Sequence, residues 1–269
     1  MTEPFILSRP TAPEVPLLVS VPHTGVALPE GVAGRFASER VCALPDTDWH
    51  LDRLYEFVPQ IGAVLCCARW SRYLIDLNRP ADGHALYPGR AETELVPTRT
   101  FAGDPIYRDG EAPNAAEIAA RTAAYWRPYH DLLRTELQRL RARFGYALLF
   151  DAHSIVSEVP RFAKSRLPGF MLGDVDGTSC DRPLADAVFD VLSGSGISAA
   201  RNDPFKGGHI TRAFGRPAEG IHALQLEMSQ RLYMDEVPTP RFRDDLAAGL
   251  RVTLRAALLA FVSRRPARD

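Results

Sequence analysis

The chain lacks both the charge excess of a nucleic-acid-binding protein and the long apolar run of a membrane protein. Its 32 lysine and arginine residues almost balance 33 aspartate and glutamate residues, so no overall field favours nucleic acid or an anionic membrane. No stretch approaches the ~18 consecutive apolar residues of a membrane helix. The start of the chain carries an early acid and several prolines instead of the basic, then apolar, pattern of a signal peptide. We therefore expect a protein that binds neither nucleic acid nor membranes.

Cysteine is scarce, with 4 in 269 residues. The adjacent Cys66 and Cys67 would point to opposite faces of a strand, and the spacing of the four fits neither a disulfide framework nor a zinc knuckle. Reduced thiols and a cytoplasmic location are expected. The Gly207-Gly208 pair matches neither a Walker loop nor a dinucleotide fingerprint, and no nucleophile elbow of the G-x-S-x-G type occurs. These absences argue against nucleotide binding and against a serine hydrolase of that type.

What the chain does contain is a regular alternation of apolar runs and turn signals. The hydrophobic fraction is 46% and the charged fraction 24%, which is ordinary for a protein with a full core. Without a linker or repeat, the pattern predicts one α/β domain over residues 1–269, with a largely parallel or mixed sheet covered on both faces. Residues 84–114 show no clear period, and we interpret them as a long functional loop or lid.

Individual elements follow from the same periodicity. The predicted strands are 15–21, 63–68, 72–77, 146–150 and 221–226, and the predicted helices are 49–58, 115–144, 185–192 and 242–262. The longest helix carries an apolar stripe that includes Tyr125, Tyr129 and Leu133, and Gly145 is a natural stop for it. Its aromatic residues, Trp126 among them, are interpreted as core.

Three apolar strands lead into ionisable side chains, which are His23, His153 and Glu227. Ligands in open α/β sheets collect at the carboxyl ends of strands, so these three endings together predict a shared site. Imidazole is a common nitrogen ligand of zinc, and a catalytic zinc takes three protein ligands and a water molecule. A carboxylate beside such a water can act as general base. The alternative is that each residue makes only a hydrogen bond or a salt bridge at its strand end.

A third ligand is expected from residues 45–50, which offer Asp46 and Asp48. Asp151 stands two residues before His153 and faces the same side of an extended chain. It either orients the imidazole or caps the next turn.

Cationic side chains occur in two segments, 71–80 and 202–212. Arg72 and Arg79 belong to the first, and Lys206 and Arg212 to the second. Because a guanidinium fork binds a carboxylate through two hydrogen bonds, these segments are candidates for holding an acidic substrate. The alternative is a solvated surface.

Seven segments together resemble the N-formylglutamate amidohydrolase family, in the family's order and over most of the chain from about residue 19 to 236. They are VPHTG (21–25), DTDWHLDRLY (46–55), SRYLIDLNRP (71–80), WRPYH (126–130), DAHSI (151–155), FKGGHITR (205–212) and LQLEMSQRLYMDE (224–236). The resemblance implies a three-layer α/β/α fold with a mixed, largely parallel central sheet, similar to the zinc carboxypeptidases. It also implies hydrolysis of N-formyl-L-glutamate to formate and L-glutamate, the last step of one route of histidine degradation.

The resemblance assigns roles to individual residues. It implies that His23, Asp48 and His153 are metal ligands and that Glu227 is the general base and acid. In the mechanism that follows from these roles, Arg72 is the catalytic candidate for stabilising the oxyanion, with Arg79 as the alternative. Substrate binding is assigned to the polar residues Asn78, Arg79, Lys206, Thr211 and Arg212. The implied cofactor is one divalent metal ion, zinc first, with cobalt, manganese or iron as alternatives.

Two positions depart from the related patterns. Zinc carboxypeptidases have a glutamate three residues after their first histidine ligand, and this chain has Val26 there. His209 stands where the family often has an aromatic residue, and we interpret it as a pocket residue. The alternatives that stay open are a hydrolase of another N-acyl amino acid and a non-catalytic binder of acidic amino acids. The sequence leaves the oligomeric state open.

Overall fold

A seven-stranded mixed sheet forms the centre of the computed structural model, which describes residues 3–86, 93–160, 165–236 and 239–266. The strands are β1 (Phe5–Ser8), β2 (Leu17–Val21), β3 (Val64–Ala68), β4 (Ala147–Ile155), β5 (Phe170–Gly173), β6 (Ala199–Arg201) and β7 (Ile221–Ser229). Their order is β1-β3-β2-β4-β7-β5-β6. The pairs β1–β3 and β5–β7 are antiparallel, and the other neighbouring pairs are parallel. A short antiparallel pair, β8 (Met234–Asp235) and β9 (Arg241–Phe242), lies apart from this sheet.

Helices cover both faces of the sheet. They are α1 (Glu39–Cys42), α2 (Leu51–Leu54), α3 (Ala115–Arg121), α4 (Arg127–Phe144), α5 (Arg182–Ser193), α6 (His209–Phe214) and α7 (Asp244–Ser263). Apolar side chains of α2, α5 and α7 join one core cluster with the sheet, and those of α4 and α6 join the cluster on the opposite face. The expected three-layer α/β/α fold is confirmed.

The predicted long helix runs from Ala115 to Phe144, with a π turn at Thr122–Trp126 between α3 and α4. Its start is capped by the side chain of Asn114, which accepts a hydrogen bond from the backbone N–H of Glu117. Gly145 ends it at φ +86°, in the left-handed region that glycine adopts without strain. The predicted boundaries are thus confirmed, and the π turn is the feature that the periodicity did not indicate.

Two central strands are longer than predicted. β4 continues to Ile155 and β7 to Ser229, so His153 and Glu227 lie within strands and not just beyond them. The ladder continues because the backbones of β4 and β7 stay paired in register as far as Ile155 opposite Ser229. β2, in contrast, stays in register with β4 only as far as Ser20 opposite Asp151. Beyond that point β4 is paired with β7 alone, which leaves room for the residues that follow β2.

The prediction of a strand at 72–77 is wrong, because these residues form turns. The backbone N–H of Leu74 donates to the carbonyl of Ser71, and the segment bends away from any sheet partner. Its apolar residues are buried in two different clusters, Leu74 in one and Ile75 in another. Apolar alternation here reflects packing in two directions and not the two faces of a strand.

Other differences concern short elements. The helix predicted at 49–58 is one turn, α2, followed by a 3₁₀ turn at Val58–Ile61. The strands β1, β5 and β6 and the helices α1 and α6 were not predicted. Each of these is only three to six residues long, so too few residues carry a periodic signal.

α7 is a long apolar helix, although its run of apolar residues is not continuous. Among the described residues it is the one helix that by length and composition is apolar enough to cross a membrane, with a mean hydropathy of 1.6 over its best window. Two arginines interrupt its apolar run without lowering the mean below that level. Leu250, Leu254, Leu258 and Phe261 form a buried face that packs into the core with α5.

Part of the predicted loop at 84–114 lies outside the described residues, namely 87–92. The described remainder, before α3 begins, contains turns and isolated bridges such as that between Arg99 and Pro105. A lid function for this segment stays a prediction.

Candidate metal centre

Three segments that are distant in sequence meet at the carboxyl end of the sheet. His23 follows β2, Asp48 precedes α2, and His153 lies near the end of β4. Nδ1 of His153 is 3.1 Å from Oδ2 of Asp48, and Nδ1 of His23 is 3.8 Å from the same oxygen. One ligand atom from each residue lies within 4.8 Å of the others, and all three side chains are buried. The structure therefore brings together the three residues that the sequence nominated as ligands.

Backbone contacts fix this arrangement. The N–H of Asp48 donates to the carbonyl of His23 at 3.1 Å, which ties the segment before α2 to the end of β2. The N–H of Ser154 donates to Oδ2 of Asp48, also at 3.1 Å, and so connects the carboxylate to β4. Hydrogen bonds from backbone N–H groups therefore hold Asp48 against the ends of β2 and β4, in addition to the side-chain contacts.

The second nitrogen of each imidazole faces another carboxylate. Nε2 of His23 is 2.7 Å from Oδ1 of Asp76, and Nε2 of His153 is 2.9 Å from Oδ2 of Asp151. This pairing is typical of metal-binding histidines, because the carboxylate accepts the proton on one nitrogen and leaves the other nitrogen free to coordinate. Asp151 thus orients an imidazole, as one of the two sequence interpretations held.

The donor atoms fit a divalent cation. Nδ1 of His23 is buried and has no hydrogen-bond partner in the described part of the chain. A buried polar atom without a partner is costly unless a ligand satisfies it. Two imidazole nitrogens and one carboxylate oxygen are a donor set that catalytic zinc sites use.

The geometry distinguishes Asp48 from Asp46. Oδ2 of Asp46 accepts hydrogen bonds from the hydroxyl of Tyr73 and from the backbone N–H of Phe101, each at 2.8 Å. Asp46 therefore anchors the 93–107 segment, while Asp48 lies between the two imidazoles.

The charge states of the cluster are set by burial and by these neighbours. Burial lowers the pKa of His23, and the nearby Arg72 cation lowers it further, so this imidazole is neutral. Burial acts in the same sense on His153, but Asp151 and Asp48 outweigh it and raise the pKa of His153 well above its usual value. Burial disfavours the charged form of Asp48, yet the hydrogen bond from His153 and the charges around it hold the pKa of Asp48 below normal.

Glu227 lies beside the cluster on β7, in register with His153 on β4. Neighbouring strands are about 4.8 Å apart, and in-register residues share a face of the sheet. Its Oε1 is buried and, among the described residues, has no hydrogen-bond partner. Burial raises the pKa of Glu227 to about 8, with His153 opposing and Asp48 adding to the shift. A carboxylate with this pKa is able both to accept and to donate a proton near neutral pH.

Arg72 is the cation of this site. Its guanidinium donates to Oδ2 of Asp76 at 2.6 Å and lies 3.7 Å from Oδ1 of Asp48. The ring of Phe101 covers it at 4.8 Å. Arg72 therefore stands next to the candidate ligands, as predicted, with part of its charge balanced by two carboxylates.

The predicted substrate-binding residues Asn78 and Thr211 are both buried. Nδ2 of Asn78 is 3.3 Å from Oδ2 of Asp151 and 3.0 Å from Nε2 of His153, and its Oδ1 accepts the backbone N–H of Ile210 at 2.8 Å. Its amide is therefore committed to protein groups. The hydroxyl of Thr211, in contrast, has no partner within the ranges that the structure describes.

The three predicted substrate cations occupy separate places. Nε of Arg79 donates to the carbonyl of Thr93 at 2.9 Å, and Arg79 lines a surface pocket with His84. Lys206 forms an ion pair with Asp176 at 2.8 Å. Nε of Arg212 donates to the carbonyl of Gly207 at 3.0 Å.

Asp76 and Gln225 are site residues that sequence reasoning missed. Asp76 lay inside the segment wrongly predicted as a strand, although a lone acid in an apolar run was a usable signal.

Gln225 stands two residues before Glu227 and so faces the same way. Its side chain accepts the N–H of Gly208 at 2.7 Å. A Cβ on Gly208 would lie 2.4 Å from the amide of Asn78, so glycine permits the close approach of this side chain.

Comparison with known proteins gives a consistent result. Residues 15–234 match the family model described as N-formylglutamate amidohydrolase. The chain is 46% identical over 250 residues to an N-formylglutamate deformylase of Pseudomonas putida, covering 93% of each chain. It is 48% identical over 245 residues to one of Pseudomonas aeruginosa, covering 91% of each. A crystal structure of N-formylglutamate amidohydrolase from Ralstonia eutropha JMP134 is similar with a TM-score of 0.83 and 32% identity, over 98% of this chain and 99% of that one.

Proposed function

Because the chain belongs to the N-formylglutamate amidohydrolase family, we propose that it hydrolyses N-formyl-L-glutamate to formate and L-glutamate with one bound divalent metal ion. The observation that carries the proposal is the buried cluster of His23, Asp48 and His153 beside the carboxyl group of Glu227. Relatives covering more than nine-tenths of the chain are named for this deformylase activity.

In the proposed reaction, Glu227 moves the protons. His23, Asp48 and His153 would hold a divalent cation, which when bound would supply polarisation of the formamide carbonyl and a lower pKa for the attacking water. Glu227 takes a proton from that water as it adds to the formyl carbon. The same carboxyl group then delivers the proton to the nitrogen, and the C–N bond breaks to release formate and the amine.

The cations around the site bind charge on the substrate. Arg72 is close enough to the cluster to stabilise the oxyanion that forms on the formyl oxygen as water adds to the carbon. We propose that Arg79, Lys206 and Arg212 bind the two carboxylates of the substrate, and that the hydroxyl of Thr211 adds a hydrogen bond.

The finer features of the proposal concern the metal and the cellular role. Zinc suits two imidazoles and one carboxylate, and cobalt, manganese and iron accept the same donors. We place the reaction at the last step of one route of histidine degradation, in the cytoplasm, where the four unpaired thiols would stay reduced. The chain would act as one domain, with 84–114 as a lid over an acidic N-acyl amino acid.

A substrate panel tests the proposed activity. We expect N-formyl-L-glutamate to be hydrolysed with a kcat/KM about 10–200-fold above those for N-acetyl-L-glutamate and N-formyl-L-aspartate, the range that one methyl or methylene group is worth in a fitted pocket. A preference for another acyl group or amino acid would favour the related hydrolase. Binding of these compounds without turnover in the metal-loaded protein would favour the non-catalytic binder.

Zinc affinity is expected to rise with pH. The pKa of His153 is raised well above 6.5, so the metal-free protein holds a proton on this imidazole at pH 7, and coordination through Nδ1 must release it. Affinity should therefore increase by about tenfold per pH unit for each proton released, until the raised pKa is passed. Titration calorimetry in buffers of different ionisation enthalpy measures the released protons.

Glu227 is a second source of released protons, because its pKa is also raised, to about 8. The Glu227→Gln variant removes that source and isolates the proton of His153. Zinc binding that releases no proton from this variant at pH 7 would contradict the assignment of His153 as a metal ligand that is protonated in the metal-free protein.

Substitution of Arg79 by glutamine is expected to raise KM and leave kcat nearly unchanged. The change removes the charge that we assign to a substrate carboxylate, and a hydrogen bond to a charged group is worth about tenfold or more in affinity. The exposed Arg108, changed to glutamine, serves as the control for loss of a surface arginine. Equal KM values for the two variants would remove Arg79 from substrate binding.

A further inference from the structure

The loop at 76–79 contacts the carboxylate partners of both imidazoles or supplies them. Asp76 accepts from Nε2 of His23, and Nδ2 of Asn78 donates at 3.3 Å to Oδ2 of Asp151, which accepts from Nε2 of His153. The loop is braced internally, since the N–H of Asn78 donates to Oδ1 of Asp76 at 2.8 Å. Any shift of this loop would therefore disturb the carboxylate partners of both histidines together.

The two carbonyls that flank Asn78 are held by side chains of the long helix. Nε2 of His130 is 2.8 Å from the carbonyl of Leu77, and Nε1 of Trp126 donates to the carbonyl of Arg79 at 2.9 Å. A carbonyl only accepts, so Nε2 of His130 carries the proton. Burial lowers the pKa of His130 to about 3, and this imidazole therefore stays neutral with the same tautomer over the working pH range.

The two donor rings also support each other. Trp126 and His130 stack with their centroids 3.7 Å apart and their planes at 13°. Phe214 of α6 stacks on His130 at 5.8 Å, and the ring of His209 lies 5.3 Å from His130. The stack restrains both N–H groups in the direction of the loop.

The π turn explains how side chains on both α3 and the turn after it reach backbone carbonyls of residues 74–79. Arg121, at the end of α3, donates to the carbonyl of Leu74 at 2.9 Å, and Trp126 follows five positions later. In a regular α-helix, residues five apart point about 140° away from each other. The i→i+5 turn at Thr122–Trp126 reduces that divergence, so donors from both sides of it reach carbonyls within residues 74–79.

We propose that Trp126 and His130 are positioning residues for metal binding: their N–H groups fix the 76–79 loop, in which Asp76 holds the imidazole of His23 and Asn78 holds that of His153 through Asp151. Among the described residues, neither Trp126 nor His130 is hydrogen-bonded to a candidate ligand, so both act through the loop. The inference rests on the proposed metal site, and its test separates the two.

The test is zinc binding by the full-length, metal-free protein, measured by competition with a chromophoric chelator. Trp126→Phe removes one N–H and keeps a ring to stack on His130. His130→Phe removes the other donor, whereas His130→Gln returns an N–H near the position of Nε2. We expect Trp126→Phe and His130→Phe to weaken zinc binding about three- to tenfold, the scale of one hydrogen bond, and His130→Gln to recover most of the loss.

The matched control is Trp70→Phe. The indole N–H of Trp70 is buried and, within the described ranges, donates to no acceptor, so its removal should leave zinc affinity unchanged. Thermal unfolding of each metal-free variant separates loss of positioning from loss of fold, because a purely structural role would lower the melting temperature without changing the affinity of the folded protein.

Each outcome bears on one claim. A wild-type protein that binds no zinc would overturn the proposed metal site itself. Stoichiometric zinc in the wild type, with unchanged affinity in Trp126→Phe and His130→Phe, would overturn the positioning role alone. A loss of zinc affinity in His130→Phe that His130→Gln does not recover would show that the lost N–H group does not cause the effect. That result would also overturn the positioning role. If Trp126→Phe failed to fold, the two His130 variants would still decide.

Discussion

Asp48→Asn is expected to lose both stoichiometric metal and nearly all deformylase turnover. Oδ2 of Asp48 lies near Nδ1 of both His23 and His153, and it carries the negative charge in the centre of the proposed ligand set. Asparagine has nearly the same shape but is neutral, so the site would keep its form and lose its anionic donor. The loss in metal affinity should exceed the ~10–100-fold that removal of an outer partner costs.

The neighbouring Asp46 provides a matched control for this substitution. Asp46→Asn makes the same chemical change two residues away, at a carboxylate that accepts hydrogen bonds from Tyr73 and Phe101 and lies outside the ligand cluster. It should retain stoichiometric metal, even if the 93–107 segment becomes less stable. Metal content measured after dialysis decides the matter, and full metal content in Asp48→Asn would exclude this residue as a ligand.

Glu227→Gln is expected to keep its metal and substrate and to lose ~10²-fold or more in turnover, the scale of general-base catalysis. Glutamine fills the same volume but cannot accept the proton of the attacking water. Because the side chain is buried and its Oε1 lacks a partner in the described structure, no neighbouring carboxylate is hydrogen-bonded to it as a ready substitute.

The pH profile gives a second readout of Glu227. A general base acts in its deprotonated form, so kcat of the wild type should rise with pH through the pKa of Glu227. Burial raises that pKa to about 8 in the metal-free protein, and a bound cation would lower it. The variant should lack this limb of the profile. Near-normal turnover in Glu227→Gln, with the limb still present, would remove Glu227 from the mechanism.

The ligand residues were predictable because each stands at a recognisable place in the sequence. His23 and His153 follow apolar runs whose strands are parallel neighbours, and parallel strands present their carboxyl ends at one edge. Their convergence therefore follows from the order of the strands. The choice between Asp46 and Asp48 did not follow, because it depends on which carboxylate the hydroxyl of Tyr73 and the N–H of Phe101 engage.

The outer partners of the ligands were not predictable in the same way. Asp76 reaches His23 only because residues 72–77 form turns, and the apolar alternation of that segment predicted a strand. Trp126 was interpreted as a core residue, and its ring does pack against the core. Its hydrogen bond to Arg79 joins groups 47 residues apart and depends on a π turn. Periodicity describes which face of an element is buried, and it carries no information about such contacts.

A crystal structure of the protein grown with zinc, with anomalous data collected at the zinc edge, is the most direct measurement. We expect one strong peak within ~2.0–2.2 Å of a nitrogen of His23, a nitrogen of His153 and a carboxylate oxygen of Asp48. No peak among these three side chains, or a single peak coordinated by other residues, would contradict the proposal that this buried cluster holds the catalytic ion.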